Sequence, residues 1–254
     1  MLFDSHAHID DEKFDLDREE VIQRAIDNGV TRMINVGASM SSSARSIALA
    51  EKYESIYATV GIHPHDAKDA LDTDYEQLAR WTSLEKVVAI GEIGLDYYYD
   101  YSPREVQRSV FIRQLDIARQ TKLPFIIHDR DAHGDVLEIL KKEAKGLKGV
   151  LHCFSGSLEM ANEVIKMGLY VSIAGPVTFK NAAKLPEIVT KVPLEYLLVE
   201  TDSPYLTPQP FRGKRNEPAY VKLVAEQVAN LRGIEIEILA KATSENAKKL
   251  FGIS

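Results

Sequence analysis

The stretch LFDSHAHI at residues 2–9 decides the predicted fold, because it joins a β-strand pattern to a pair of histidines. His6 and His8 are two residues apart, so on a strand both side chains project from the same face. Further short apolar runs follow along the chain, and they are rich in Val, Ile and Leu, as in strands that are covered on both faces. The predicted strands span residues 2–9, 32–38, 56–63, 87–95, 124–128, 149–154, 169–174 and 196–200.

Stretches with helical spacing separate most of these strands, and two more close the chain. They span residues 18–28, 42–53, 104–120, 135–145, 158–167, 182–189, 220–232 and 235–251. Alternating strands and helices predict an α/β protein with a parallel sheet. Eight strand units within 254 residues favour a closed (β/α)8 barrel of the TIM type, formed as a single domain over residues 1–254, rather than a doubly wound open sheet.

Composition and charge narrow the class of protein. The chain has 45% hydrophobic and 27% charged residues, as in soluble globular proteins, and its formal net charge of -7 argues against broad wrapping of nucleic acid. Cys153 is the only cysteine, which excludes an intramolecular disulfide and favours a cytoplasmic location. The N-terminus shows no signal-peptide pattern, and no apolar run is long enough to span a bilayer. We therefore expect no membrane association, and the sequence indicates no obligate protein partner.

Side chains that bind metals end several of the predicted strands. Glu92 falls late in the fourth strand, His128 closes the fifth, His152 lies near the end of the sixth, and Asp202 follows the eighth. The C-terminal strand ends of a barrel meet at one mouth, where active sites of this fold lie. Charged side chains are rarely buried there unless they are paired or bind a metal. Together with the histidine pair of the first strand, these residues predict a metal centre.

The number of ligands predicts two ions. Four histidines and two carboxylates exceed the three protein ligands of a single catalytic zinc. The surplus fits two divalent ions (Zn, Mg or Mn) that are bridged by a carboxylate and a water. Glu92 is the expected bridge, since its strand lies between the two histidine groups. We predict that the first ion binds His6, His8 and Asp202. The second ion is predicted to bind His128 and His152.

Taken together, these motifs resemble the TatD family of metal-dependent deoxyribonucleases, within the amidohydrolase-like barrels. The resemblance is carried by His128, by His152 and by the stretches DSHAH at 4–8, GIHPH at 61–65, GEIGLDY at 91–97 and ETDSPYL at 200–206. It implies a (β/α)8 barrel, a two-metal site and hydrolysis of DNA phosphodiesters, often from the 3′ end. It also implies that His63 contacts the scissile phosphate or lies just behind the metal ligands.

Two loops near the predicted mouth are candidates for binding substrate. Tyr97, Tyr98, Tyr99 and Tyr101 follow the fourth strand and could stack on nucleobases or pack within their loop, and Tyr97 is the candidate that we single out. The loop after the eighth strand holds a dense basic cluster, which we interpret as binding phosphate. These cations are Arg212, Lys214 and Arg215, and Arg130, just past the fifth strand, is a further candidate.

Four neighbours of these motifs have other expected roles. His65 is expected to cap a turn, and His133 to be exposed in a loop or a first helical turn. Glu200 either orients a ligand by a hydrogen bond or forms a buried ion pair. Cys153 adjoins His152, so strand alternation predicts that it points into the helix layer.

The sequence predicts a two-metal hydrolase of DNA. We expect it to be an exonuclease that acts on single strands or 3′ ends. A water activated by two cations attacks phosphorus in line, with Glu92, Asp202 and His63 as the catalytic residues. The alternatives are a lactonase, amidase or aminoacyl-ester deacylase on the same barrel, and a non-catalytic metal-binding scaffold. Many related barrels bridge their metals with a carboxylated lysine, and Glu92 in that place favours the deoxyribonuclease.

Overall fold

Eight parallel strands form a single sheet in the computed structural model, which describes residues 1–253. The strands are hydrogen-bonded in chain order, β1 to β8, and a helix follows each of them. The strands are β1 Leu2–Ala7, β2 Val30–Val36, β3 Ile56–Val60, β4 Val87–Asp96, β5 Phe125–Arg130, β6 Gly149–Leu151, β7 Tyr170–Ile173 and β8 Leu197–Val199.

The helices form a layer outside the sheet, and a ninth helix follows the last strand–helix unit. They are α1 Arg18–Asp27, α2 Met40–Lys52, α3 Asp72–Trp81, α4 Arg104–Thr121, α5 His133–Glu143, α6 Leu158–Lys166, α7 Leu185–Lys191, α8 Val221–Arg232 and α9 Ile236–Phe251. None of these described helices combines the length and the apolar character that crossing a membrane requires.

The first strand meets the segment after the last strand, and this closes the sheet into the predicted barrel. The amide of His8 donates to the carbonyl of Ser203 at 2.7 Å, and the amide of Asp202 donates to the carbonyl of His6 at 2.9 Å. Deeper in the barrel, the Ser5 hydroxyl donates to the carbonyl of Val199 at 3.0 Å. The prediction of a (β/α)8 barrel is confirmed, and the closing bonds join residues of the predicted metal centre.

Apolar side chains fill the barrel below the mouth. Ile126, Val150 and Leu198 are buried in one cluster, and each lies two residues before a polar strand-end residue on the same face. Leu250 and Phe251 of α9 join this cluster, so α9 packs against the N-terminal end of the barrel. The N-terminal end is therefore packed with apolar side chains, while the polar strand ends lie at the opposite end.

The structure differs from the predicted elements in two respects. The strands β1, β2, β3 and β6 end two or three residues earlier than predicted, because their last residues bend into loops at the mouth. Helix α3 was not predicted, although Tyr75 and Leu78 are buried three residues apart on one face. Its start lacks a Ser, Thr, Asp or Asn cap, since Leu71 occupies that position.

Candidate metal centre

Four histidines from three strands converge at the C-terminal mouth of the barrel. The Nε2 atoms of His6 and His8 lie 3.2 Å apart, and the ring of His6 stacks on that of His152 at 3.9 Å between centroids. His128 Nδ1 lies 3.4 Å from His152 Nε2. The cluster is largely removed from solvent, since His6 and His152 are buried and His8 and His128 are nearly so.

The carboxylate of Glu92 lies between two histidine groups and offers one oxygen to each. Its Oε2 atom is 3.7 Å from His6 Nε2 and 3.4 Å from His8 Nε2. Its Oε1 atom is 2.8 Å from His128 Nδ1 and 2.9 Å from His152 Nε2. A single side chain therefore links two clusters of nitrogen donors, which is the geometry of a bridging ligand.

Asp202 approaches the same site from the segment after β8. Its backbone has a φ of 55°, in the left-handed region that a non-glycine residue seldom adopts. Its Oδ1 atom lies 3.7 Å from His6 Nε2 and 3.6 Å from His8 Nε2. Asp202 therefore belongs to the side of the cluster that holds the first-strand histidines, and its side chain stays partly open to the mouth.

Hydrogen bonds behind the histidines orient the rings. His8 Nδ1 donates to the carbonyl of Val36 at 2.9 Å, which points Nε2 into the cluster. Glu200 Oε1 lies 3.2 Å from His152 Nδ1, and Asp96 Oδ2 lies 3.0 Å from His128 Nε2. A carboxylate or carbonyl that accepts from the far nitrogen of a ring is the usual support of a metal-binding histidine.

Charge within the cluster is balanced by protons on the histidines. Burial disfavours an ionised Glu92, but the charge of His152 and hydrogen bonds from its neighbours hold the pKa of this carboxyl well below its ordinary value. Burial likewise opposes protonation of His8, His128 and His152, and the adjoining carboxylates outweigh it, so the pKa of each imidazole lies above its ordinary value. A cation that binds here must displace protons.

His63 lies at the edge of the cluster with a defined tautomer. Its Nδ1 atom accepts the backbone N–H of His65 at 3.1 Å, and Nε2 lies 3.6 Å from Glu92 Oε1. Burial lowers the pKa of His63 well below its ordinary value, so the ring is neutral and its one proton resides on Nε2. His63 therefore presents a hydrogen-bond donor to the site, although it stands close enough to Glu92 and His128 to share an ion.

Asp96 is a buried carboxylate that sequence reasoning did not single out. Its Oδ2 atom accepts from His65 Nε2 at 2.9 Å as well as from His128. Its Oδ1 atom accepts the backbone N–H groups of Tyr98 and Tyr99 at 3.1 and 2.8 Å. The available signal was its spacing from Glu92, because residues four apart on a strand share a face.

Several neighbouring predictions can now be compared with the structure. His63, not His65, caps the turn at residues 64–69, so the capping role predicted for His65 is wrong. Glu200 does contact His152, as the ligand-orienting alternative requires. His133 begins α5 as predicted, but it is half-buried and bonded to Asp129 at 2.8 Å.

Cys153 does not face the helix layer, and that prediction is wrong. Strand β6 ends at Leu151, and Cys153 has a φ of 43°, so strand alternation no longer applies to it. Burial and the charges of Asp202 and Glu200 raise the pKa of its thiol well above the ordinary value. The half-buried thiol therefore lies beside the metal centre.

The structure separates the predicted substrate residues into two groups. Tyr97 donates its hydroxyl to Asp135 at 2.6 Å, and Arg215 is paired with Asp17 at 2.6 Å. Because both side chains are held by these carboxylates, the geometry does not support substrate roles for Tyr97 and Arg215. Arg130, Arg212 and Lys214 are exposed, and no carboxylate within residues 1–253 lies at ion-pair distance from them.

The donor set suits a divalent metal. Three overlapping groups of side chains each bring three ligand atoms within 4.8 Å of one another. They are His6, His152 and Asp202, then His6, His8 and Glu92, then His63, Glu92 and His128. Within residues 1–253, buried His6 Nδ1 and Glu200 Oε2 have no hydrogen-bond partner, so the ring of His6 is the least constrained of the four.

Comparison with known proteins agrees with this site. The family model described as TatD related DNase matches residues 3–252. The chain is 51% identical to an uncharacterized metal-dependent hydrolase, YabD, of Bacillus subtilis, over the whole of both chains. It is 37% identical to the 3′-5′ ssDNA/RNA exonuclease TatD of Citrobacter rodentium, covering 100% of this chain and 98% of that one.

A solved structure extends the comparison to the fold. The crystal structure of YJJV, a TatD homolog from Escherichia coli, matches with a TM-score of 0.93 and 34% identity, over 100% of this chain and 98% of that chain. The barrel and about a third of the residues are thus shared with that protein along the full length. The chain belongs to the TatD-related DNase family and is a metal-dependent hydrolase.

Proposed function

We propose that this protein is a two-metal exonuclease that hydrolyses phosphodiester bonds at the 3′ end of single-stranded DNA. The observation that carries the proposal is Glu92, whose two carboxylate oxygens face two different histidine groups. A relative that shares 37% of its residues bears the name of a 3′-5′ ssDNA/RNA exonuclease, and this supports the choice of substrate. The exposed cations near the mouth support an anionic polymer over a neutral ester or lactone.

In the proposed assignment, each of two ions would have its own protein ligands and both would share Glu92. His6, His8 and Asp202 would hold the first ion and His128 and His152 the second, with the Glu92 carboxylate facing both groups. Imidazole ligands suit Zn2+ better than Mn2+ or Mg2+, which prefer oxygen ligands. We therefore expect Zn2+ to bind more tightly than Mn2+ or Mg2+.

Two divalent ions, when bound, make water more acidic and stabilise negative charge on the phosphoryl oxygens. Asp202 is placed to accept the proton of the attacking water, because its carboxylate lies beside His6 and His8 and is partly open to the mouth. The water oxygen forms a bond to phosphorus, the ester P–O bond breaks, and the leaving oxygen takes a proton from solvent.

His63 is proposed to bind the scissile phosphate as a neutral donor. Its Nε2 proton points toward the space beside Glu92, and the backbone bond to its Nδ1 keeps the ring in this orientation. A neutral imidazole donates a hydrogen bond to a phosphoryl oxygen without competing with the cations for Glu92. Asp96 and Glu200 do not contact the substrate in this proposal. They orient the rings of His128 and His152 through hydrogen bonds.

The first prediction concerns Glu92→Gln with Mn2+ and a single-stranded oligonucleotide labelled at its 5′ end. The amide cannot bridge two cations. Losing a residue that only supports a metal ligand typically lowers metal affinity or activity by about 10- to 100-fold, so we expect kcat/KM to fall by more than about 100-fold. The unfolding midpoint of the metal-free protein should stay close to that of the parent protein.

The matched control is Glu226→Gln on the exposed face of α8, which should behave as the parent. Near-normal digestion by Glu92→Gln would contradict the bridging role. The same assay should include RNA, lactone, amide and aminoacyl-ester substrates. Hydrolysis of one of these without any digestion of DNA would overturn the proposed substrate while leaving the metal centre intact.

The second prediction is that metal affinity rises with pH. Because the pKa values of His8, His128 and His152 are raised, these rings hold protons near neutrality, and each bound ion must release them. Calorimetric titration of Zn2+ or Mn2+ in buffers of different ionisation enthalpy should show proton release, and affinity should fall as the pH is lowered from about 8 to 6. Affinity that is independent of pH, with no proton release, would contradict the protonated cluster.

The third prediction separates the free cations from the paired one. For single strands, each neutralised phosphate contributes about 0.7 to the slope of log K against log salt. Replacing Arg130, Arg212 and Lys214 together with alanine should therefore flatten the slope by about 2 units. Arg215→Ala is the matched control, since its guanidinium is paired with Asp17 and its slope should match the parent. Binding is measured in a Glu92→Gln background; equal slopes in all variants would rule out the proposed phosphate contacts.

A further inference from the structure

An exposed aromatic surface borders the metal centre on the side of His128. It consists of Tyr98, Tyr99, Tyr101 and the ring of His65, and we name these four residues the tyrosine shelf. The three tyrosines are 58%, 44% and 56% exposed. Tyr99 and Tyr101 are stacked with centroids 5.2 Å apart, and the edge of His65 meets them at 5.3 and 4.9 Å. Aromatic area that is grouped and open to solvent is typical of a binding surface.

The shelf tyrosines differ from two other tyrosines near the mouth, Tyr97 and Tyr205, in how their hydroxyls are used. Tyr97 donates its hydroxyl to Asp135 and Tyr205 donates to Asp11, so both rings are tied into the fold. The hydroxyls of the three shelf tyrosines make no hydrogen bond to another residue within 1–253. The loop therefore exposes these three rings, and their hydroxyl groups do not help to hold the loop in place.

A free cation lies directly on the shelf. The guanidinium of Arg130 is 4.0 Å from the ring centre of Tyr98 and 4.7 Å from that of Tyr99. Arg130 follows His128 by two residues on β5, so a cation that can bind phosphate lies on the shelf at the strand end that carries a candidate metal ligand. An aromatic face beside a cation matches the two chemical parts of a nucleotide, because the flat base can stack on the rings and the anionic phosphate can pair with the cation.

The shelf is also fixed in position relative to the metal centre. Asp96 accepts from His128 and His65, and it accepts the backbone amides of Tyr98 and Tyr99. One buried carboxylate thus holds a candidate metal ligand and two members of the shelf. A base on the shelf would have a constant distance from the reacting phosphate.

We propose that the tyrosine shelf is a nucleobase subsite, which stacks on unpaired bases next to the scissile phosphate and thereby selects single-stranded ends. This inference rests on the proposed function and adds the part of the substrate that the metal centre does not contact. A base within a duplex has both faces covered by its neighbours and cannot stack on the shelf, whereas an unpaired base can.

The test compares two single-stranded oligonucleotides of one length with the metal-loaded enzyme. One carries ordinary nucleotides at the 3′ end, and the other carries abasic residues at the same positions, with the same phosphodiester backbone. In the parent protein, kcat/KM for the base-bearing strand should exceed that for the abasic strand by roughly 5- to 150-fold, the range expected from stacking of one base. Tyr99→Leu and Tyr101→Leu should each reduce this ratio toward one.

Conservative and distant variants distinguish stacking from a fold defect. Tyr99→Phe and Tyr101→Phe keep the aromatic face and should keep the ratio. Tyr53→Leu, between α2 and the start of β3 and therefore at the N-terminal end of the barrel, away from the mouth, should also keep it. As a second readout on the unmodified protein, a 2-aminopurine base at the 3′ end should lose fluorescence on binding, since stacking on tyrosine quenches it.

The outcomes separate this inference from the proposed function. If the parent protein cleaves neither strand, the proposed nuclease activity is wrong. If it cleaves both strands equally, or if the leucine variants keep the full preference and 2-aminopurine is not quenched, the nucleobase subsite is wrong while the nuclease activity stands. A preference that falls in the leucine variants and persists in the phenylalanine variants is the result that the shelf predicts.

Discussion

A charged carboxylate buried among imidazoles is the constraint on which the rest of this structure depends. Glu92 is 4% exposed, and an ionised group in such a place is stable only beside compensating charge. That charge comes from other strands, through His8, His128 and His152, because no neighbour on β4 itself can supply it. Only a closed barrel brings the C-terminal ends of these separate strands to one point. The hydrogen-bond network at the mouth therefore depends on the barrel, and it helps to hold the barrel closed.

Two more buried carboxylates lie behind the histidines, and they make the folded site less stable when no cation is bound. Asp96 and Glu200 are both fully buried, and they lie behind His128 and His152. In the metal-free protein, hydrogen bonds from these rings are what stabilise the two buried acids. Divalent ions would add positive charge close to them, so metal binding should stabilise the fold as well as prepare the chemistry.

Strand periodicity made most of the fold and the centre of the site predictable. Apolar runs of strand length are easily recognised, and a metal-binding residue at the end of each is improbable by accident. The prediction of a barrel followed from these runs, and the convergence of His6, Glu92 and His128 followed from the barrel. Asp96 was accessible to the same reasoning, because it shares a strand face with Glu92, but its partners come from two other segments and leave no local pattern.

The remaining misses lie where periodicity ends. Cys153 follows the last residue of β6 with a left-handed backbone, and nothing in its immediate sequence specifies that turn. The substrate roles predicted for Tyr97 and Arg215 from their position in mouth loops remain predictions, and the structure adds that Asp135 and Asp17, which are distant in sequence, hold these side chains. Which member of a basic or aromatic cluster is free depends on such long-range pairs, and only the three-dimensional structure reveals them.

The central claim is that Glu92 joins two ions, and electron paramagnetic resonance of the Mn2+-loaded protein tests it most directly. Two Mn2+ ions that share a carboxylate are exchange-coupled, and their spectrum differs from that of isolated Mn2+. At saturating Mn2+ the parent protein should show the coupled spectrum, and Glu92→Gln should show only isolated Mn2+. A parent protein that shows isolated Mn2+ at every loading, and saturates with a single ion per chain, would contradict the account.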